Sequence, residues 1–162
     1  MKLYFVRHAT ASSKASWRQD DGLRPLTRAG RQRFSVAASS LVGAGALHPD
    51  LIITSPLIRA DQTARLLGKA LGRAVPIVTD ARLGHEFDRD ALQAILAEHR
   101  SARSIAIIGH NPSFANVLCE VIGDASLDVR KGSVALVELA ALKPPTGRLM
   151  WLAPPTIFPG CE

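Results

Sequence analysis

Leu3-Tyr4-Phe5-Val6 runs directly into Arg7-His8, and Ile105-Ala106-Ile107-Ile108 runs into Gly109-His110. Each is a short, wholly apolar run, the pattern of a central parallel strand buried on both faces. Between them Leu51-Ile52-Ile53 passes through Thr54 into Ser55-Pro56 and a helix that carries Arg59. Three buried strands are thus expected to deliver two histidines and two arginines to one edge of one sheet. In open α/β sheets ligands sit at that edge, outside the carboxyl ends of the strands.

Working outward, strand and helix patterns alternate. A polar stretch from Thr10 to Asp21 reads as a loop. Thr27 can cap a helix in which Phe34, Ala37, Ala38, Leu41 and Val42 follow the 3.6-residue period, ended by Gly43 and Gly45. Ser55-Pro56 pairs a capping hydroxyl with a proline at the first helical position, followed by an apolar stripe of Leu57, Ala60, Ala64, Leu67 and Leu71. Val75 to Val78 is a short third strand, and Asp88 caps a helix through Leu92, Ile95 and Leu96. Asn111-Pro112 repeats the cap-and-proline pattern before a helix lined by Phe114, Val117, Leu118, Val121 and Ile122. Val134 to Leu139 and Leu149 to Leu152 read as two final antiparallel strands. The alternation predicts a three-layer α/β/α sandwich with a mostly parallel central sheet and an antiparallel edge. One domain over residues 1–153 and a loose tail over 154–162 are expected.

The chain has 162 residues, enough for one core, with 47% hydrophobic and 21% charged residues. Its net charge of +6 is spread along the chain with no block of like charges. That suits a field drawing in an anionic substrate better than a nucleic-acid tail, although a generic basic surface fits as well. Aromatics make up 5% of the chain, and Phe5, Phe34 and Phe114 fall in core patterns, not on a stacking platform. Cys119 and Cys161 form neither a disulfide framework nor a zinc motif, which favours a reduced, cytoplasmic setting. No apolar run reaches the length of a signal-peptide core or a membrane span. Neither a metal nor another cofactor is expected, since no carboxylate joins the histidines at ligand spacing.

Two imidazoles and two guanidiniums gathered at one site suit a phosphoryl group. His8 is the candidate nucleophile, because a neutral imidazole can attack phosphorus through one nitrogen while the other keeps its proton. Arg7 and Arg59 offer forked donors matched to phosphoryl oxygens. His110, if protonated, would stabilise charge on the equatorial oxygens. Ser55 and Asn111 are each either a helix cap or a ligand contact. His48, His85 and His99 read as surface residues.

The motifs carrying these residues resemble a family. Arg7-His8-Ala9-Thr10, the run Thr54-Ser55-Pro56-Leu57-Ile58-Arg59-Ala60-Asp61-Gln62-Thr63-Ala64 and Gly109-His110-Asn111-Pro112-Ser113 resemble the signatures of the histidine phosphatase (phosphoglycerate mutase-like) superfamily. Asp21-Gly22-Leu23-Arg24-Pro25-Leu26-Thr27, followed by Gly30, is most similar to its SixA-type phosphohistidine phosphatases. The resemblance spans roughly residues 2–152. It implies that His8 becomes phosphorylated, that Arg7, Arg59 and His110 complete the phosphate pocket, and that Arg24 and Asp21 border it. The chain departs from the pattern at Lys14, where many members carry asparagine. Many members also use a glutamate as proton donor; Glu86 in Arg82-Leu83-Gly84-His85-Glu86 is the candidate here, against the plainer reading of a solvated loop carboxylate.

The connection from residue 79 to 103 has room for one loop and one helix, so the pocket is expected to be open enough for a side chain displayed on a protein. Expelling imidazole from phosphohistidine also asks less of a general acid than expelling an alkoxide. The expected partner is therefore a phosphorylated protein of the histidine phosphotransfer type, with neither nucleic acid nor membrane involved and the enzyme a monomer or weak dimer. A small-molecule phosphomonoesterase or mutase of the same superfamily, and a non-catalytic phosphate-binding module, are the alternatives.

Overall fold

In the computed structural model of the protein, residues 1–124 and 126–159 are described. The first run forms β1 (Lys2–Arg7), and β2 (Leu51–Thr54), β3 (Ile77–Thr79) and β4 (Ser104–Gly109) join it in one sheet. A closing hairpin, β5 (Val134–Leu142) and β6 (Pro145–Ala153), completes six strands in the order β3-β2-β4-β1-β5-β6. β3, β2, β4 and β1 are parallel, whereas β5 runs antiparallel to β1 and β6 antiparallel to β5.

Alternation along the strands builds the layers, because successive side chains point to opposite faces. Leu3, Phe5, Ile53, Ile105 and Ile107 pack against Leu92, Ile95 and Leu96 of α3 (Arg89–Glu98) and Phe114, Val117 and Leu118 of α4 (Ser113–Ile122). Tyr4, Val6, Ile52, Ala106 and Ile108 pack against Phe34, Ala38 and Leu41 of α1 (Arg28–Gly43) and Ala60, Ala64 and Leu67 of α2 (Ile58–Leu71). Each fully buried aliphatic or aromatic side chain contributes about 1.5–3 kcal/mol. The result is the α/β/α sandwich read from the sequence. Thr27 and Asp88 cap α1 and α3, accepting from the N–H groups of Gly30 at 2.9 Å and Ala91 at 2.8 Å.

Several boundaries differ from expectation. α2 starts at Ile58 and α4 at Ser113, each without a side-chain cap, so neither Ser55 nor Asn111 is a helix cap. β3 begins after Pro76, which has no N–H to give a ladder, although its carbonyl accepts from Ile52 N–H at 3.0 Å. It is an exposed edge strand. Residues 154–159 are not loose: Pro155–Ile157 form a 3₁₀ turn, Pro155 is buried, and Phe158 packs on the α1/α2 side of the core. Cys119 is buried on α4, while Cys161 and the rest of the tail lie outside the described residues. Among the described residues, no helix is long and apolar enough to cross a membrane.

Candidate active site

Register brings the two histidines together. β1 and β4 pair through Arg7 opposite Gly109, so His8 and His110 leave neighbouring strands side by side. Their ring centroids are 5.0 Å apart, and His8 N–H donates to Gly109 O at 3.1 Å. The end of β2 joins them through Ser55 N–H, which donates to Ile108 O at 3.1 Å. Ser55 is fully buried, and its hydroxyl shares a 2.8 Å hydrogen bond with His110 Nε2. That bond is what the Ser-Pro pattern serves here.

Two glycines brace the chain around His8. Gly132, with φ +79°, donates its N–H to the carbonyls of both Arg7 and His8, at 3.1 and 3.0 Å. A Cβ on Gly30 would lie 2.1 Å from Thr10 O, so only glycine lets α1 approach the loop that follows His8. On the other side Thr63 of α2 accepts from Ala9 N–H at 3.1 Å and donates to Arg59 O at 2.7 Å.

This bracing fixes the His8 tautomer. His8 Nδ1 lies 2.7 Å from Ala9 O, and because a carbonyl can only accept, the proton sits on Nδ1 and the lone pair on Nε2. Burial pushes the His8 pKa down to about 3, and the charges of Arg59, Arg7 and Arg24 push the same way against the Ala9 hydrogen bond. Burial also lowers His110, to about 2, aided by His8, Arg59 and His85. His110 is therefore neutral in this structure. The cause is an imidazole shut away from water among other cations, and a phosphoryl dianion beside it would favour the charged form.

These shifts carry a stability consequence. Unfolded histidines titrate near pH 6.5, well above both folded values, so below that pH the unfolded chain binds protons that the folded chain does not. Stability should fall as pH drops from about 6.5 toward about 3, by about 1.4 kcal/mol per pH unit for each histidine. In urea titrations between pH 7 and 4.5, a His110→Asn variant should show a slope shallower by one such increment. A slope matching the unmodified protein would show that His110 is not held neutral.

Two of the arginines are held by one carboxylate. Arg59, only 1% exposed, donates from Nη1 to Asp21 O at 2.8 Å and from Nη2 to Asp21 Oδ2 at 3.0 Å. Arg24 Nε donates to Asp21 Oδ1 at 2.8 Å and its Nη1 to Ser12 O at 2.8 Å. Arg24, with help from Arg59, keeps the Asp21 carboxyl below its usual range and hence ionised. Arg7 Nη1 donates to Val129 O at 2.8 Å, and the same carbonyl accepts from Asn111 Nδ2 at 3.1 Å. Asn111 thus lines the cleft with its amide tied back to the loop before β5. Arg7 Nε, Arg59 Nε, His110 Nδ1 and Asn111 Oδ1 are buried without a partner. Such groups are costly to leave unsatisfied and tend to mark functional sites.

His8, Arg7, Arg59, His110, Arg24, Asp21 and Asn111 line one cleft of about 590 Å³, together with Lys14 and Lys131, and Ser55 stands behind His110. Glu86 is not part of it. Leu83 and Phe87 are buried in the core; of the segment between them His85 lines the cleft, and His85 and Glu86 together line an adjoining surface depression with Arg82 and Asp88. His85, exposed as the sequence reading has it, also lines the cleft, as do Ser12, Ser13 and Lys131, which that reading does not single out. Its ring centroid is 5.2 Å from that of His110, and its Nε2 is 3.4 Å from Arg59 Nη2 and 3.9 Å from Asp21 Oδ2. Its place beside Glu86 was the one signal available.

Fold and cleft together define a class: an α/β protein that gathers histidines and arginines at its strand ends, an arrangement suited to a tetrahedral anion. A family model for the histidine phosphatase superfamily (branch 1) matches residues 3–89, and the chain belongs to that superfamily. A protein from Picosynechococcus sp., of no stated activity, is 38% identical over 117 residues, covering 69% of this chain and 67% of that protein. The fold is similar to the protein histidine phosphatase SixA complexed with tungstate (TM-score 0.84, 24% identity, 97% of this chain and 99% of that one). It is also similar to a putative phosphohistidine phosphatase SixA from Agrobacterium tumefaciens (TM-score 0.79, 22% identity, 94% and 97%). The alpha-ribazole phosphatase from Shigella flexneri is comparable in shape (TM-score 0.74, 18% identity, 96% and 97%).

Proposed function

We propose that the protein removes phosphate from phosphohistidine on a protein, through a phosphoenzyme formed on His8. The observation that carries this reading is the tautomer: the lone pair of a neutral imidazole faces a cleft whose arginines are already braced. In the first step His8 Nε2 attacks phosphorus and the substrate P–N bond breaks. Arg7 and Arg59 hold the phosphoryl oxygens, with His110 beside them. In the second step water attacks phosphorus and the electron pair returns to His8 Nε2. Nδ1 keeps its proton throughout, so His8 departs as a neutral imidazole, a good leaving group.

Two features favour a protein substrate with an imidazole leaving group. The chain between β3 and β4 holds one 3₁₀ turn, Ala81–Leu83, and α3, with no inserted domain over the cleft. Asp21 is ionised between two arginines and Glu86 lines the adjoining depression, so among the described residues no protonated carboxyl group lines the cleft. The SixA proteins share this fold, but so does an alpha-ribazole phosphatase, which makes a small phosphate ester the competing substrate. Turnover should be compared on a histidine-phosphorylated phosphotransfer domain and on sugar and nucleotide phosphates. The phosphoprotein is expected to have the higher kcat/KM by at least tenfold. The reverse order would make the protein a small-molecule phosphatase, and phosphate binding without turnover would make it a binding module.

A further inference from the structure

We infer that His85 is the proton donor to the leaving group and then the proton acceptor for the attacking water; this rests on the phosphohistidine phosphatase reading above. His8 is 6% exposed at the floor of the cleft, whereas the His85 side chain is 59% exposed at its mouth. Phosphoryl transfer places nucleophile and leaving group roughly in line across phosphorus. A group attacked from the floor must therefore leave toward the mouth, past His85.

The chemistry of the neighbours singles out this ring. Arg59 can only donate, so its 3.4 Å contact makes His85 Nε2 an acceptor as it stands. Asp21 Oδ2 lies 3.9 Å from the same nitrogen, and the His110 ring centroid is 5.2 Å from that of His85. Glu86, next along the chain, lines the adjoining depression and not the cleft itself, and Asp21 is committed to its arginines. Lys14 and Lys131 also line the cleft, but an ammonium is a weaker acid than an imidazolium by about four pK units. An imidazolium matches an imidazole leaving group in acid strength, the condition for efficient proton transfer near neutral pH.

The steps balance. As the His8 Nε2–P bond forms, the substrate P–N electron pair goes to the departing imidazole, which takes its proton from the His85 imidazolium. Neutral His85 then accepts a proton from water as the oxygen–phosphorus bond forms and the pair returns to His8. The unphosphorylated histidine side chain of the partner protein and inorganic phosphate result, with His85 protonated again.

A leaving-group series tests this. On phosphohistidine protein and phenyl phosphate, whose leaving groups need a proton, His85→Gln should lose about 10²-fold in kcat/KM. On p-nitrophenyl phosphate, whose phenolate needs none, the loss should be at least tenfold smaller. Labelled phosphate on His8 should persist longer in the variant, and added imidazole should restore part of the activity of His85→Ala. In the unmodified protein, kcat/KM on phosphohistidine should fall at alkaline pH, and His85→Gln should lose that limb. Equal losses on all substrates would mean that His85 only positions Arg59, and no loss on any would leave it without a role; either result overturns the inference. Failure of the unmodified protein to form a phosphoenzyme would instead defeat the functional reading itself.

Discussion

His8→Ala protein is expected to incorporate no phosphate and to lose turnover by a factor on the order of 10⁴ or more. The loss follows from the site as built, since no second imidazole can take over. His110 already shares its Nε2 with Ser55, and the His85 ring stands at the exposed mouth. The measurement is brief exposure to labelled substrate followed by acid and alkali treatment. The unmodified protein should carry a label that is lost in acid and kept in alkali, mapping to the peptide containing His8. A His8→Ala protein releasing phosphate at the normal rate would rule out the covalent route.

The second large effect is expected at Arg59. Arg59→Lys keeps the charge but loses the fork that reaches Asp21 O and Asp21 Oδ2 together while Nε remains unpaired. One ammonium cannot hold the carboxylate and two phosphoryl oxygens in a plane. A loss of about 10²–10³-fold in kcat is expected, the usual size for removing a donor that acts on transition-state charge. Circular dichroism and urea unfolding should separate this from misfolding. Full activity in Arg59→Lys would show that charge alone suffices and that the bidentate geometry is immaterial.

Sequence legibility divided along physical lines. The buried strands and helices could be read because burial imposes a period, and Leu3 to Val6 and Ile105 to Ile108 show it plainly. The meeting of His8 with His110 followed from strand-end positions, which parallel pairing then aligned. Ser55 and Asn111 were ambiguous because a short polar side chain before proline has the same appearance whether it caps a helix or serves a distant partner. His110 Nε2 and Val129 O, the partners they have, are remote in the chain. His85 escaped notice because an exposed histidine in a polar segment has no period to betray it. Pro155 reads as loose chain because its burial depends on a surface supplied in part by Gly132, to which nothing in the tail itself points.

The carbonyl of Val129 receives hydrogen bonds from both Arg7 and Asn111, and Val129 itself is almost wholly enclosed. A single acceptor atom therefore acts as a jig, setting the gap between a guanidinium at the end of one strand and an amide beyond the end of the next. Were the backbone at Val129 to move, both walls would travel with it and their spacing would survive.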